Sequence, residues 1–414
     1  MKLAVFHSRF DEVGGAELLA AKQARLLRAL GAEVRVRTFV YNAATWGPRL
    51  GSIPVEAYSR HIEGRTAPRV PLQLTGPAAA WAQRGLDAFD AVIAHNFPSS
   101  ALLGLSPAPA HRIWYCHEPP RSLHPREANP NLWKALRTRP TVRGWAVEAF
   151  TRSQLAPWLL GGLTRSGRFR LGVEDVRAVA GLSEIWANSE FTRDNVRRIF
   201  GPKQVEVVYP IADVSPRSHP RHGLDRSGLR VLTVSRLEHV KNLDTLLRGF
   251  ARFVRGRGGA AATLDVVGLG PVRAELEALA RSLGIEASVR FHGFLSQADL
   301  DDLSSRCDVF ALLPLDEPFG MVFPEAASRG LLLLGPDQGG PREILDDGRI
   351  GQMADPLDPE QIADGLARIW ATPDAQLDAL RERAVESCRA RFSLEAIGPR
   401  IESLLRRRGL RFTP

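Results

Sequence analysis

Two glutamates in the second half of the chain, Glu317 and Glu325, have the spacing of carboxylates that bind one ligand. They flank seven residues in the segment PLDEPFGMVFPEAASRG, where the sequence predicts the end of a strand and the start of a helix. Backbone N–H groups at a helix N-terminus bind phosphate, and carboxylates bind sugar hydroxyls. The segment therefore predicts a site for a ligand with both groups, unless the glutamates are ordinary exposed acids of a helix. The N–H groups that would bind phosphate belong to Phe319, Gly320, Met321 and Val322.

Basic residues suited to the same ligand occur earlier in this half of the chain. Arg236 and Lys241 follow a predicted strand over residues 230–234. Two cations can bind the phosphates of such a ligand, although such a pair in isolation would form structural salt bridges more often. Gly268 and Gly270 follow the next strand, but the third glycine of a dinucleotide-binding fingerprint is absent, which argues against an oxidoreductase.

A histidine in the first half of the chain is a further candidate. His117 ends a predicted strand in the segment WYCHEPPR and precedes a loop stiffened by two prolines. Parallel sheets bind ligands at the carboxyl ends of their strands, which favours a functional role, whereas an isolated histidine is more often structural. His95 and Asn96 end another strand in the same way and are weaker candidates for ligand binding. Ser189 or Thr192 is predicted to cap the helix that follows them.

The elements that must position these residues alternate between short apolar strands and helices, as in a parallel α/β sheet. A polar segment with prolines, residues 213–228, interrupts the alternation and is predicted to be a linker. We therefore predict an N-terminal domain over residues 1–212, a C-terminal domain over 229–392, and a helical segment over 393–414 that can pack back on the N-terminal domain. The predicted strands are residues 3–7, 33–39, 91–95, 113–116, 184–188, 204–209, 230–234, 263–267, 288–291 and 309–314.

Taken in order, these motifs resemble family 4 glycosyltransferases. The Glu317–Glu325 segment resembles the E-x7-E motif of that family, and residues 235–242 resemble its SRL-x3-KN segment. Gly268-Leu269-Gly270, Phe291-His292-Gly293 and residues 339–343 (GGPRE) resemble the rest of the donor domain. Residues 14–17 resemble the N-terminal glycine loop, and His117 to Arg121 resembles the H-x-x-P-R loop of a branch that contains many mannosyltransferases. The resemblance is weakest over residues 51–80 and 125–180.

The resemblance implies a GT-B fold, in which two Rossmann-like, doubly wound domains face each other across a cleft. It also implies a metal-independent, retaining reaction, with Glu317 and His117 at the transferred sugar. The remaining site residues that it implies are, for the donor diphosphate, Gly15, Arg236, Lys241, Gly320, Met321 and Val322, for the nucleoside, Glu325, Gly268 and Phe294, and, more weakly, for the acceptor side, His95, Asn96 and Arg121.

The substrate that we expect is a nucleotide diphosphate sugar, with GDP-mannose favoured over UDP-glucose and with no cofactor. The acceptor expected is a glycan or a lipid-linked molecule. A protein that binds nucleotide sugars without turnover, associated with a membrane, is the alternative from another class. An enzyme of the glycogen or sucrose type is disfavoured by the basic surface and the length. No metal is expected, because the acid pairs Asp301–Asp302 and Asp346–Asp347 are predicted to lie on a helix surface and in a turn.

The charge distribution predicts a polyanionic partner. The formal net charge is +9, and residues 121–177 hold eleven basic residues against four acidic ones. Because tryptophans and phenylalanines are interspersed among these arginines, we favour contact with an anionic membrane surface over nucleic acid, which would use the same residue types. An insertion that only packs on its own domain is the simpler alternative.

Other features of the sequence suggest where the protein acts. No apolar run approaches the ~20 residues that span a bilayer, and the first strand is predicted to begin at residue 3. The three cysteines are far apart and lack metal-ligand spacing, which argues against disulfides and zinc. We expect a cytoplasmic protein, peripheral at the inner membrane face.

Overall fold

The computed structural model describes residues 1–60, 74, 76–107, 111–124, 127–133, 165–214, 223–256 and 261–412, and for residues 165–170 it describes the backbone only. The chain forms two compact units. Unit 1 consists of Met1–Ala128, Gly162–Ile211 and Leu394–Pro414. Unit 2 consists of Asn129–Gly161 and Ala212–Ser393.

Unit 1 is built on a sheet whose described strands are all parallel. Its strand order is β2-β3-β1-β5-β6-β7-β8, with β4 paired to β3. All five residues of β5 are buried, as expected for a central parallel strand covered on both faces. The strands are β1 (Lys2–His7), β2 (Arg9–Phe10), β3 (Glu33–Tyr41), β4 (Val55–Arg60), β5 (Ala91–His95), β6 (His111–Cys116), β7 (Glu184–Ala187) and β8 (Val205–Val207).

The helices of unit 1 include one from the far end of the sequence. Ile397, Ile401, Leu404 and Leu405 of the last helix are buried in the same apolar cluster as Leu27 of the first. Arg400 pairs with Glu206 at 2.6 Å, and Arg408 pairs with Glu184 at 2.9 Å. The helices are α1 (Gly15–Ala29), α2 (Ala43–Leu50), α3 (Pro77–Gln83), α4 (Ser99–Gly104), α5 (Arg165–Ala180), α6 (Glu190–Phe200) and, after all of unit 2, α14 (Leu394–Arg407).

Unit 2 contains the second parallel sheet. Its strand order in the described residues is β11-β10-β9-β12-β13-β14, so the first strand of the unit, β9, lies near the centre. The neighbouring strands β9 and β12 precede the loops that hold Lys241 and Glu317. The strands are β9 (Gly228–Val234), β10 (Ala261–Val267), β11 (Val289–Gly293), β12 (Val309–Ala311), β13 (Leu332–Pro336) and β14 (Gln352–Ala354).

The helices of unit 2 connect these strands. Helix α10 carries the second glutamate of the E-x7-E segment and has seven residues. The helices are α7 (Leu243–Gly256), α8 (Arg273–Ser282), α9 (Gln297–Arg306), α10 (Val322–Ser328), α11 (Gly339–Ile344), α12 (Pro359–Ala371) and α13 (Asp374–Phe392).

The predicted fold class is confirmed, because each unit is a parallel α/β sheet. Residues 129–133, which the sequence places inside the predicted N-terminal domain, are grouped with unit 2. The periodicity of strands and helices does not predict to which unit these residues belong. The chain passes from unit 1 to unit 2 again at Ile211 and Ala212, next to the predicted linker at 213–228, of which residues 215–222 lie outside the described residues.

Candidate functional site

Lys241 and Glu317 form an ion pair at the carboxyl edge of the unit 2 sheet. The Nζ atom of Lys241 lies 2.7 Å from Oε2 of Glu317, with side-chain exposures of 20% and 18%. Lys241 follows β9 and Glu317 follows β12, so two adjacent parallel strands deliver the two charges to the same edge. A half-buried cation and carboxylate in contact can bind a phosphate and a sugar hydroxyl that lie side by side.

The turn that carries Lys241 is fixed by its neighbour Asn242. Residues His239–Lys241 form a 3-10 turn, and Asn242 ends it in the left-handed region with a φ of 57°. Its buried side-chain amide donates to the carbonyl oxygens of Leu313 at 2.8 Å and Pro356 at 2.6 Å. Asparagine adopts this conformation more readily than most residues, and its amide links the Lys241 turn to the segment that precedes Glu317.

The loop that carries Glu317 is held by the glycines that begin α11. The backbone N–H of Gly340 donates to the carbonyl oxygen of Glu317 at 2.8 Å. A Cβ atom at Gly340 would lie 2.2 Å from the carbonyl oxygen of Pro318, and Gly339 has a φ of +72°. These two glycines are therefore required for the close approach of the two loops, which gives a physical reason for the GGPRE motif.

Gly268 and Gly270 have a similar role beside the Arg236 loop. A Cβ atom at Gly268 would lie 1.8 Å from the carbonyl oxygen of Ser235, and one at Gly270 would lie 2.2 Å from that of Leu237. Only glycine allows this packing. Arg236 itself is 75% exposed, and its Nη1 atom lies 3.0 Å from Oε1 of Glu238. Its guanidinium is therefore available to an incoming anion at the cost of a weak surface ion pair.

The remaining predicted donor residues of unit 2 lie on α10 and after β11. Glu325 is half-buried in the first turn of α10, and Gly320, with a φ of +95°, precedes that helix together with Met321, its N-cap. Phe294 is 77% exposed and Leu269 is 59% exposed. The exposed ring of Phe294 provides a face on which a nucleobase can stack, and Leu269 can add an apolar contact.

Three histidines form a cluster at the carboxyl edge of the unit 1 sheet. His7 ends β1 and His95 ends β5, and these two residues are directly paired in the sheet register. Nδ1 of His95 lies 2.9 Å from Nε2 of His117, which follows β6. Nε2 of His7 lies 3.3 Å from Nδ2 of Asn96 and 3.9 Å from Oε1 of Glu17.

These histidines are uncharged at neutral pH. Burial lowers the pKa of His7 to about 4 and the pKa of His117 to about 3, and it also lowers the pKa of His95 well below its usual value. One proton must lie between His95 and His117, and Nε2 of His95 is buried without a hydrogen-bond partner in the described part of the chain. Because a buried N–H without a partner is rarer than a bare acceptor, His95 is the donor. His117 then carries its own proton on Nδ1.

The chain was compared with known proteins. Residues 214–389 match the family model of glycosyl transferases group 1. A D-inositol 3-phosphate glycosyltransferase from Corynebacterium kroppenstedtii is 30% identical over 224 residues, which are 50% of this chain and 49% of that relative. An alpha-D-kanosaminyltransferase from Streptomyces kanamyceticus is 28% identical over 46% of this chain and 48% of its own length. The match thus spans about half the length of these curated relatives.

The solved structures of similar fold cover almost the whole chain. HepE from Anabaena, determined in complex with UDP and glucose, has a TM-score of 0.70 and 20% identity over 98% of this chain and 99% of its own. The sucrose-phosphate synthase from Thermosynechococcus elongatus has a TM-score of 0.71 and 17% identity over 99% of both chains. Together with the two parallel sheets, these neighbours identify the fold as GT-B.

The group 1 match covers the part of unit 2 that holds most of the predicted donor residues. The structure brings Lys241 and Glu317 into contact, and it places Arg236, Gly268 and Phe294 on neighbouring loops of the same unit. Glu325 and residues 320–322 also belong to unit 2, and the other predicted residues belong to unit 1. Gly15 begins α1 with open space around its Cα, Asn96 has a φ of 58°, and Arg121 donates to Glu118 at 2.7 Å.

One predicted acceptor-side residue, His95, is too deeply buried to contact a ligand directly. His95 is wholly buried, so it can act on a ligand only through His117.

The predicted helix cap is confirmed at Ser189, whose Oγ accepts from the N–H of Thr192 at 2.9 Å. Cys116, Cys307 and Cys388 are buried thiols.

Sequence reasoning assigns no role to His7, Asn131 or Asp316. His7 could have been found, because it ends β1 as His95 ends β5. Asn131 and Asp316 could not, since no spacing relates residues so far apart in the sequence.

Within the described residues, no group of three or more His, Cys, Asp or Glu side chains is arranged to hold a metal ion. No helix in that part of the chain combines the length and apolar character needed to cross a bilayer. Most of the basic aromatic stretch, including Arg137, Arg139 and Arg143, lies outside the described residues.

Proposed function

We propose that this chain is a retaining, metal-independent hexosyltransferase that uses a nucleotide diphosphate sugar as donor. The observation that carries the proposal is the contact between Lys241 and Glu317 at the carboxyl edge of the unit 2 sheet, within the segment that matches glycosyl transferases group 1. A cation and a carboxylate at this edge suit a diphosphate joined to a sugar.

In the proposed reaction, Arg236 and Lys241 bind the diphosphate, and the N–H groups before α10 add to the positive potential. As the bond between the anomeric carbon and the phosphate oxygen breaks, these groups stabilise the charge on the leaving nucleoside diphosphate. Glu317 faces the sugar and stabilises positive charge at the anomeric carbon. Glu325 holds the ribose hydroxyls.

The acceptor oxygen attacks the same face of the anomeric carbon that the phosphate leaves, so the configuration is retained. The acceptor proton passes to an oxygen of the departing phosphate, and no separate catalytic base is needed. His117 is neutral and donates a hydrogen bond from Nδ1 to a hydroxyl of the transferred sugar. Its low pKa excludes a role as a proton donor near neutral pH.

GDP-mannose is the donor that the H-x-x-P-R resemblance favours. UDP-glucose is the second candidate, and the fold similarity to HepE, whose structure holds UDP and glucose, supports it. Phe294 and Leu269, both exposed, would contact the base of either nucleotide and do not discriminate between them.

For the acceptor we propose a glycan or a lipid-linked molecule at an anionic membrane surface. The fold neighbour WaaG, which is involved in lipopolysaccharide biosynthesis, and the basic stretch at residues 121–177 support this choice. We do not propose a nucleic acid as a partner.

Thermal unfolding with a panel of nucleotides tests the donor. A ligand that binds only the folded protein raises stability by about 2.7 kcal/mol when its concentration is a hundred times its Kd. We expect GDP-mannose, or else UDP-glucose, to raise the Tm more than the other sugar nucleotides, and to be turned over in excess EDTA. Turnover abolished by EDTA and restored by Mg²⁺ would contradict the metal-independent mechanism, and no Tm shift with any sugar nucleotide would contradict the function.

A further inference from the structure

Asp316, the residue before Glu317, is buried completely and contacts a distant part of the sequence. Its Oδ1 accepts from the side-chain amide of Asn131 at 2.8 Å and from the backbone N–H of Asn131 at 3.2 Å. Its Oδ2 accepts from the backbone N–H of Leu132 at 3.0 Å. A buried carboxylate is tolerated only where donors replace its water, and residues 130–133, which are helical, provide these donors.

Apolar side chains pack together beside these hydrogen bonds. Leu132 and Leu315 are buried against each other, with Val240 and Leu357 packed beside them. The backbone N–H of Leu315 also donates to the carbonyl oxygen of Val240 at 3.1 Å. The residues directly before Lys241 and before Asp316 are thus joined to one another and to Leu132.

The backbone at Asp316 is in the left-handed region, with a φ of 47°. A residue other than glycine remains there only when its surroundings hold it. On one side the Glu317 loop is held by the N–H of Gly340, and on the other by the Asp316 carboxylate and residues 131–132. The backbone conformation of the loop at Glu317 therefore depends on both contacts.

We propose that Asn131 and Asp316 are positioning residues, which hold Glu317 in its contact with Lys241. This inference rests on the proposed function for its catalytic consequence, but not for its structural one. It makes residues 129–133 part of the donor machinery, although they lie in the first third of the sequence and outside the family match at 214–389.

The variants Asn131→Ala and Asp316→Asn test the proposal. Asn131→Ala removes one donor, and Asp316→Asn keeps the shape but removes the charge that receives three hydrogen bonds. The matched control is Asp308→Asn, which changes a buried carboxylate of the same unit that accepts from the N–H of Arg230 at the other end of the strands. All three proteins should fold.

Two measurements are needed. Hydrogen exchange should be faster over residues 313–320 in both test variants and unchanged there in the control. The kcat for sugar transfer should fall about tenfold to a hundredfold in Asp316→Asn, as for a misplaced catalytic group, while the KM for the donor changes less than threefold, on the order of one weak contact. Because a loss of folded enzyme would also lower the apparent kcat at constant KM, the kcat is calculated per folded molecule, with the folded fraction measured by circular dichroism.

The outcomes separate the two claims. Unchanged exchange over residues 313–320 in both variants would overturn the positioning role, whatever the activity. Faster exchange with a normal kcat would overturn it as well. If the wild-type protein transfers no sugar from any nucleotide donor, the proposed function fails, while the exchange data still decide whether residues 131–132 hold the Glu317 loop.

Discussion

Lys241 and Glu317, which are 76 residues apart in the sequence, form a salt bridge of 2.7 Å. In the proposed reaction the lysine binds the diphosphate and the carboxylate faces the sugar. The salt bridge holds the two side chains next to each other, and each compensates the charge of the other. Replacing either residue by a neutral one leaves its partner without this compensation.

Glu317→Gln is expected to lower kcat by roughly 10²–10³, because a group aimed at transition-state charge is lost, while the protein stays folded. Lys241→Ala should weaken donor binding as well as turnover. Steady-state kinetics and circular dichroism check both variants. Arg252→Ala is the control, since it breaks an exposed ion pair of the same unit with Glu360 at 2.9 Å and should have normal kinetics. Wild-type rates in either test variant would remove that residue from the site.

Glu325→Ala is expected to abolish donor turnover and to weaken binding of the nucleoside diphosphate alone. The residue is half-buried on the first turn of α10, so its loss should cost little stability. Isothermal titration with GDP and UDP measures the effect. Glu360→Ala removes a solvent-exposed acid from the first turn of another helix and should leave nucleotide affinity unchanged. Equal affinities in the two variants would argue against a ribose contact by Glu325.

The tautomer of His117 can be measured directly. We expect its ring proton on Nδ1, because Nε2 accepts from Nδ1 of His95 across 2.9 Å. Long-range ¹H–¹⁵N correlation spectra of histidine-labelled protein distinguish the two nitrogens, and His117→Gln assigns the signals. In His95→Ala the preference for Nδ1 should disappear. A proton found on Nε2 of His117 in the wild type would reverse the direction of this hydrogen bond.

Acid should destabilise unit 1 through the same histidines. The pKa of His7, lowered to about 4, lies below the unfolded value of about 6.5, so the unfolded state binds the proton first as the pH falls. The free energy of unfolding then decreases from pH 6.5 towards pH 4, by about 1.4 kcal/mol per pH unit for each such histidine. Asp244 belongs to unit 2, where burial raises its pKa to about 6, so a fall in pH below about 6 stabilises that unit instead.

Denaturant titrations of wild type and His7→Gln at several pH values isolate this effect. The variant should lose stability more slowly between pH 6.5 and pH 4, by the slope of one proton. If the stability of the two proteins changes with pH in the same way, the pKa of His7 is not lowered in the folded state.

Much of the fold could be predicted from the sequence because strand and helix periodicity is local. The strand at residues 91–95 was predicted with the bounds that the structure has, and the strands at 184–188 and 230–234 differ by one or two residues at an end. The strand predicted over 309–314 is shorter, Val309–Ala311, because the apolar residues that follow are buried in the loop towards Asp316.

The candidate site could be predicted only in part. Motifs identified Lys241 and Glu317, but the contact between them depends on the order of β9 and β12 in the sheet, which a single sequence does not encode in any local pattern. Asp316 reads as an ordinary loop acid, and Asn131 as one residue of a polar insertion. Their contact is a property of tertiary packing across 185 positions.

Membrane association remains a prediction for residues that the structure does not describe. Changing Arg137, Arg139 and Arg143 to Ser should weaken flotation with anionic vesicles at low salt, since each basic residue near such a surface contributes about 1 kcal/mol. Donor affinity should not change. The control carries the same change of charge at Arg252, Arg306 and Arg349, all exposed in unit 2. Wild-type protein that fails to float at low ionic strength would contradict the membrane proposal.

Helix α14 completes the core of unit 1, but the ribosome makes it after every element of unit 2. Ile397, Ile401, Leu404 and Leu405 cover an apolar face formed by residues from the first third of the chain. During synthesis that face stays uncovered until unit 2 has been made, and uncovered apolar surface favours aggregation or chaperone binding. All segments of unit 2 are synthesised before α14, so the sheet of unit 2 can form first. Unit 2 is therefore expected to fold before unit 1 during synthesis.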